Sequence, residues 1–154
     1  SIGSLQPNKQ AEIRNRKFGF IFQFHHLLAD FTAGENAAFP LFMRGVAQSE
    51  ALPAISRLLE RLGLKDKKEE LVYNLSGGEA QRVAVARALA GSPRVVFADE
   101  PTGNLDVSTA GELHGLFSEL KKEGQTFVVA THNPEVARRA DRVLELKDRK
   151  LVQA

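Results

Sequence analysis

The sequence has no cysteine and no tryptophan, and only one methionine and one tyrosine among its 154 residues. Without cysteine there is no disulfide framework, no zinc-knuckle spacing and no thiol nucleophile, which suits a reducing compartment and makes the cytoplasm the default expectation. No apolar run approaches the roughly 18 residues that a bilayer span needs, so any membrane role is expected to be peripheral. Charge of one sign is scarce as well. The 21 basic and 19 acidic residues are spread along the chain and leave a formal +2, from which no nucleic-acid patch follows. Internal repeats and low-complexity tracts are missing. The most consequential absence is local: the chain holds no Gly-x-x-x-x-Gly-Lys-Ser/Thr and no Gly-Lys pair, so that phosphate-cradling loop is not here.

What is present suffices for one globular domain, with 43% hydrophobic residues in a length typical of a single core. Ser1 to Arg16 reads as a polar, then basic, connection. Phe18 to Phe22 is a short apolar and aromatic run of the buried-strand type, and it stops at Gln23. That glutamine is either an ordinary strand-end residue or one facing a site. Phe24 to Asp30 reads as an amphipathic loop with His25 and His26, neighbours that diverge along the chain and lack a third ligand for a metal. A helix is expected from about Thr32 to Met43. Ser49 is expected to cap a second, with Leu52, Ile55, Leu59 and Leu62 on one face, Pro53 near its start and Gly63 at its end. Lys65 to Glu70 reads as a solvated turn.

Further on, Val95 to Ala98 is a continuous apolar strand of the type buried on both faces in a parallel sheet, and it ends in Asp99 and Glu100. Asp106 is expected to cap a helix with Leu113, Leu116, Phe117 and Leu120 on its core stripe, closed by Gly124. Thr126 to Ala130 is a further buried strand ending at Thr131 and His132. Asn133 and Pro134 open a short helix, and Arg142 to Leu146 with Lys150 to Val152 suggest a hairpin. Strand and helix alternate, which predicts an α/β fold with a parallel core. The stretch from Phe24 to Tyr73, without clear strands, reads as a helical insertion.

The stretch Leu75-Ser76-Gly77-Gly78-Glu79-Ala80-Gln81-Arg82 organises the rest. Ser76 followed by Glu79 is a capping-box pattern for a helix running to about Ala90. The cap leaves Gly77 and Gly78 unexplained, since glycine in a helix costs on the order of 1 kcal/mol relative to alanine. Glycines at a helix start also let an anion approach exposed N–H groups, and phosphate is the natural anion. Cap and phosphate site stand side by side on these residues alone. Gln23, Asp99 with Glu100, and His132 fall at the carboxyl ends of three strands, the edge where open α/β sheets bind ligands. Adjacent carboxylates repel unless a cation justifies them, which points to Mg²⁺ on Asp99, commonly through water. Glu100 is then free to polarise an attacking water as general base, a role worth about 10² to 10⁴ in rate.

Taken in order, the Ser76 stretch, Val95 to Thr102, Gly103-Asn104-Leu105-Asp106 and Thr131-His132 closely resemble the nucleotide-binding subunit of ABC transporters. The resemblance implies a P-loop NTPase-like parallel sheet, here incomplete, with an inserted helical subdomain. Residues 1–23 would end the first core segment, 24–90 form the helical subdomain with the signature motif, and 91–154 form the catalytic core. It implies ATP and Mg²⁺ as ligands. Gln23 matches the Q-loop glutamine, Ser76, Gly77, Gly78 and Glu79 the signature, Asp99 and Glu100 the Walker B aspartate and catalytic base, Asp106 the D-loop, and His132 the switch histidine. It further implies a head-to-tail ATPase dimer, membrane-subunit partners, and no nucleic acid.

Within the family, Phe22 to Thr32 followed by Gly34-Glu35-Asn36 is similar to the ATPases of bacterial lipoprotein-releasing systems. That implies a peripheral place on the cytoplasmic face of the inner membrane, with Phe24, His25, His26, Leu27 and Leu28 as the partner surface. Loop packing is the other reading of the two histidines. Ala29 and Asn133 depart from the usual proline and aspartate. Other readings are a related macrolide- or peptide-type exporter, a non-catalytic docking subunit, and a soluble DNA-repair ATPase, whose coiled-coil heptads or zinc cysteines are missing. The likeness covers only the later part of a family member, so a fragment or a late-starting reading frame is expected, inactive alone and exposing apolar sheet surface.

Overall fold

The computed structural model describes residues 2–154. Three apolar segments, β1 (Phe18–Ile21), β2 (Val95–Asp99) and β3 (Thr126–Ala130), pair in that order into a parallel sheet. The register sets Gly19 opposite Val96 and Phe127, and Ile21 opposite Ala98 and Val129. Side chains alternate across a strand, so these residues share one face, while Phe20, Phe97 and Val128 share the other.

Among the described residues six α-helices accompany the sheet: α1 (Pro7–Lys17), α2 (Ala33–Phe42), α3 (Gln48–Arg61), α4 (Gly77–Leu89), α5 (Val107–Lys122) and α6 (Pro134–Ala137). Between β1 and β2, helices α2, α3 and α4 bury Ala33, Ala37, Ile55, Leu59, Val83 and Val85 against one another. Helix α4 also lies on β1. Helix α5 contributes Leu113 and Leu120 to the core, and Phe117 stacks on Phe127 of β3 with ring centroids 4.8 Å apart. A two-residue turn at Asp148 and Arg149, both at positive φ, joins β4 (Leu144–Lys147) to the antiparallel β5 (Lys150–Gln153). That is the backbone of the two-residue hairpin turn. No described helix is long and apolar enough to cross a membrane.

Three expectations are corrected. The segment read as a polar connection up to Arg16 is mostly helical, with Pro7 at its first position, although Ser1 lies outside the described residues. It buries nothing and so has no apolar stripe to reveal it. Arg44 holds it instead, donating to the Asn15 side chain at 2.5 Å and to the Gly91 carbonyl at 3.1 Å. Helix α3 starts one residue before Ser49 and is flanked by Ala47, with no side-chain cap. The strands expected to be buried on both faces are buried on one only, with Phe20 and Val128 exposed at 39% and 50% on the other.

Gly19 is required by the approach of α4 to β1. A Cβ there would lie 2.4 Å from the Ala88 carbonyl oxygen and 3.0 Å from its carbon, backbone atoms that cannot turn aside. Gly111 sits in α5 with open space around the same position. Gly19→Ala is therefore expected to lower unfolding free energy by about 1–3 kcal/mol, as overpacking does. Gly111→Ala should raise it by up to about 1 kcal/mol. Urea denaturation of the two variants reads both signs.

Candidate functional site

The shared register brings the ends of β1, β2 and β3 out at one edge, so Gln23, Asp99 with Glu100, and Thr131 with His132 emerge side by side. Glu100 leaves the strand at φ +41, its N–H still bonded to the Ala130 carbonyl at 2.9 Å. That sharp exit turns its carboxylate toward the loop after β3. Thr131 Oγ1 donates to Glu100 Oε2 at 2.9 Å, and the His132 backbone N–H and ring Nδ1 both reach Oε1 at 2.6 Å. Glu100 is 18% exposed and His132 88%. Burial alone would raise the Glu100 pKa, but the His132 N–H, the Thr131 hydroxyl and the His132 ring outweigh it and hold the carboxyl below its ordinary range. The group is an anion with both oxygens engaged.

Asp99 is exposed and borders a depression of about 150 Å³ on the face with Phe20, Phe97 and Val128. Its oxygens offer hard donor chemistry, and among the described residues no group of three or more His, Cys, Asp or Glu side chains could enclose a metal. Such a donor set suits an ion that keeps most of its water, as Mg²⁺ does. Gln23 is tied to the loop after β2: its Nε2 donates to Asn104 Oδ1 at 3.0 Å, and Asn104 Nδ2 donates to the Gln23 carbonyl at 3.3 Å. Gly103 makes room for it, since a Cβ there would sit 2.9 Å from Gln23 Nε2.

The start of α4 carries the full capping box, with Ser76 N–H donating to Glu79 Oε2 at 2.8 Å and Glu79 N–H to Ser76 Oγ at 3.3 Å. Lys67 Nζ lies 3.2 Å from the other Glu79 oxygen. Gly77 is exposed with only Leu105 nearby, whereas a Cβ at Gly78 would meet the Thr109 methyl at 2.4 Å. Thr109 cannot swing away, because Asp106 accepts from its N–H at 3.0 Å and its hydroxyl at 2.6 Å in capping α5. One of the two glycines thus has a packing reason on the Asp106 side.

His25 and His26 face different ways. His25 Nδ1 donates to the Gln81 side-chain oxygen, and the His26 ring meets Phe22 edge-on with centroids 5.3 Å apart. Phe24 is 66% exposed, Leu28 is also exposed, and Leu27 packs against the core. Gln81, Asn104 and Asn36 stand inside the quoted motifs without a role of their own, and Arg87 stands in none. The signal for two of them was available: Gln81 interrupts the inward face of an apolar helix, and Asn36 follows a capping pattern into another. Asn133 caps α6, accepting from the Glu135 N–H at 2.9 Å.

Residues 2–103 match the family model described as ABC transporter. Among curated relatives, the chain is 49% identical over 145 residues to the lipoprotein-releasing system ATP-binding protein LolD of Shewanella frigidimarina, covering 94% of this chain and 61% of that protein. It is 50% identical to the LolD protein of Hyphomonas neptunium, covering 96% of this chain and 65% of the relative. Among solved structures, the dimeric bacterial ABC transporter cassette MJ0796 superposes with a TM-score of 0.82 at 36% identity, over 96% of this chain and 66% of that one. A post-hydrolysis state of that cassette, bound to ADP and Pi, gives 0.83 at 34% identity, over 97% of this chain and 68% of that one. The chain thus spans about three fifths to two thirds of its relatives' length.

The capping box makes α4 sensitive to acid. The Ser76 N–H, above all, holds the Glu79 carboxyl below its ordinary range, with burial opposing and Lys67 assisting. A depressed carboxyl contributes stability that is fully present above its unfolded pKa and lost as pH falls through the folded one. Ser76→Ala should cost about 1 kcal/mol at neutral pH. Glu79→Gln should flatten the acid limb of the stability profile. Thermal unfolding from neutral pH down through the carboxylate range checks both, and an unchanged acid limb in Glu79→Gln counts against this account.

Proposed function

This chain belongs to the ABC transporter family, and from that premise we propose that it serves an ATP-hydrolysing subunit that powers lipoprotein release. The observation that carries the reading is the meeting of Glu100, Asp99, Gln23 and His132 at one sheet edge. The names of the LolD relatives support the transported class.

In this reading water attacks the γ-phosphorus of ATP, the bond to the bridging oxygen of ADP breaks, and Glu100 takes the proton. Low pKa keeps Glu100 ionised but makes it a weak base, so the contacts from Thr131 and His132 must loosen before it can act. His132, released, is free to address the transferring phosphoryl group. Asp99 through water, with Gln23, would hold Mg²⁺, which when bound offsets phosphate charge. Ser76, Gly77, Gly78 and Glu79 would address the nucleotide of a partner copy in a head-to-tail dimer, with Asp106 at the same seam. The exposure of Gly77 and the firm cap behind it support that assignment.

Residues 24–90 would form the helical subdomain between core segments 1–23 and 91–154. Membrane subunits would dock over Phe24, Leu28 and their neighbours, which places the protein peripherally on the cytoplasmic face of a bacterial inner membrane. The exposure of Phe24 and Leu28 supports this, and His25, turned toward Gln81, is the least suited of the set.

In the full-length protein, Mg²⁺-dependent ATP hydrolysis is expected, with Glu100→Gln lowering turnover by about 10² to 10⁴ while nucleotide still binds. The 154-residue chain by itself, without Gly-x-x-x-x-Gly-Lys-Ser/Thr, is expected to turn over negligibly. Phosphate release from wild type, variant and short chain is the measurement. Equal turnover in wild type and Glu100→Gln removes the reading.

A further inference from the structure

Gln81 is 1% exposed, yet its side chain bonds to three residues in two loops, Phe22 and His25 after β1 and Pro101 after β2. Its Nε2 donates to the Pro101 carbonyl at 2.7 Å and reaches the Phe22 carbonyl at 3.4 Å. Both partners of that nitrogen are acceptors, so the amide oxygen must face His25, and His25 must carry its proton on Nδ1. Pro101 follows Glu100, and Phe22 precedes Gln23. One buried amide on α4 therefore grips the backbone beside the proposed base and beside the proposed Mg²⁺ ligand, a turn and a half after Ser76. Arg87, one and a half turns further along α4, donates to the carbonyls of His25 and His26 at 2.6 Å each and fixes the other side of the loop, where His26 is held at φ +47.

We propose that Gln81 and His25 are positioning residues for ATP turnover, making the start of α4, the loop after β1 and the loop after β2 move as one body. The inference rests on the ATPase reading above. An apolar side chain at position 81 would fill the same space but impose no direction, whereas the amide holds two backbone carbonyls and the His25 ring at defined angles. Its bonds, formed out of water, are strong and orienting. His25 is the reversible element, half-buried at the mouth of the loop. Displacement of the outer loop by a docked partner reaches Pro101 and Glu100 through His25 and Gln81 without any residue of the partner entering the site.

The test uses the full-length protein assembled with its own membrane subunits in lipid vesicles, as wild type, His25→Ala, His25→Asn, Gln81→Leu and the double variant His25→Ala with Gln81→Leu. Asparagine keeps a donor near the place of Nδ1. His25→Ala and Gln81→Leu should each lower kcat about tenfold with KM for ATP little changed, and the double variant should be no worse than the poorer single one. His25→Asn should restore most of the loss. Amide exchange over residues 22–28 should quicken in the same variants and recover in His25→Asn, which also reports whether Gln81→Leu still folds. Multiplying effects in the double variant, or faster exchange with unchanged kcat, overturns the inference. A wild type that hydrolyses no ATP overturns the ATPase reading, and this inference with it.

Discussion

Helix α4 lies so close to β1 that only glycine fits at position 19, with the Ala88 carbonyl occupying the space a side chain would need. This approach fixes how far the start of α4 stands from the strand ends. The same helix carries Gln81 to the Pro101 and Phe22 carbonyls and Arg87 to those of His25 and His26. The small residues Ala80, Ala84 and Ala88 along α4 belong to the same constraint, since close packing leaves no volume for larger ones. On the opposite face Phe20 stacks on Phe97 with centroids 5.7 Å apart.

Within that frame the loop after β1 is held by buried polar groups as well as by Leu27. Asn36, 1% exposed, accepts from the Leu28 N–H at 2.7 Å and donates to the Leu28 and Phe31 carbonyls at 3.0 and 3.2 Å. Gln81 does the corresponding work at the other end. Burying an amide is costly unless its donors and acceptors are matched, and removing one partner then costs more than the bond itself contributed. A segment of irregular backbone is thereby given one conformation. Phe24 and Leu28 are presented outward from it, since the polar anchors occupy the inner side.

The elements with a strong periodic pattern or a cap were legible in the sequence. The helix after Thr32, the Ser76 box, the Asp106 cap, the apolar runs of β2 and β3 and the closing hairpin all lie where residue chemistry placed them, because each is decided within a few residues. Helix α1 escaped notice because Arg44, far along the chain, is what holds it. Gly78 carried a long-range reason too, the methyl of Thr109, invisible to a reading that weighed only cap against anion. At the site, the residues at the strand ends could be named from the sequence. Their pairing could not, since nothing local says that Gln23 bonds Asn104 or that Glu100 closes on His132.

That closure gives the site its physical character. A carboxylate that accepts from a backbone N–H, a threonine hydroxyl and an imidazole is stabilised as an anion and, for the same reason, made a poor proton acceptor. Its left-handed backbone, uncommon for a glutamate, is maintained by the bonds from its own N–H to Ala130 and from the Gly103 N–H to its carbonyl. The strain and the contacts oppose different motions: the backbone keeps the carboxylate at the edge, and the side-chain bonds keep it turned toward the loop after β3. Thr131 and His132 are consecutive, and His132 is almost wholly exposed. A small outward shift of that loop would therefore break all three contacts together, freeing Glu100 without moving the strand that carries it. The proton affinity of Glu100 is then governed by a loop at the surface, while its position stays fixed by the sheet.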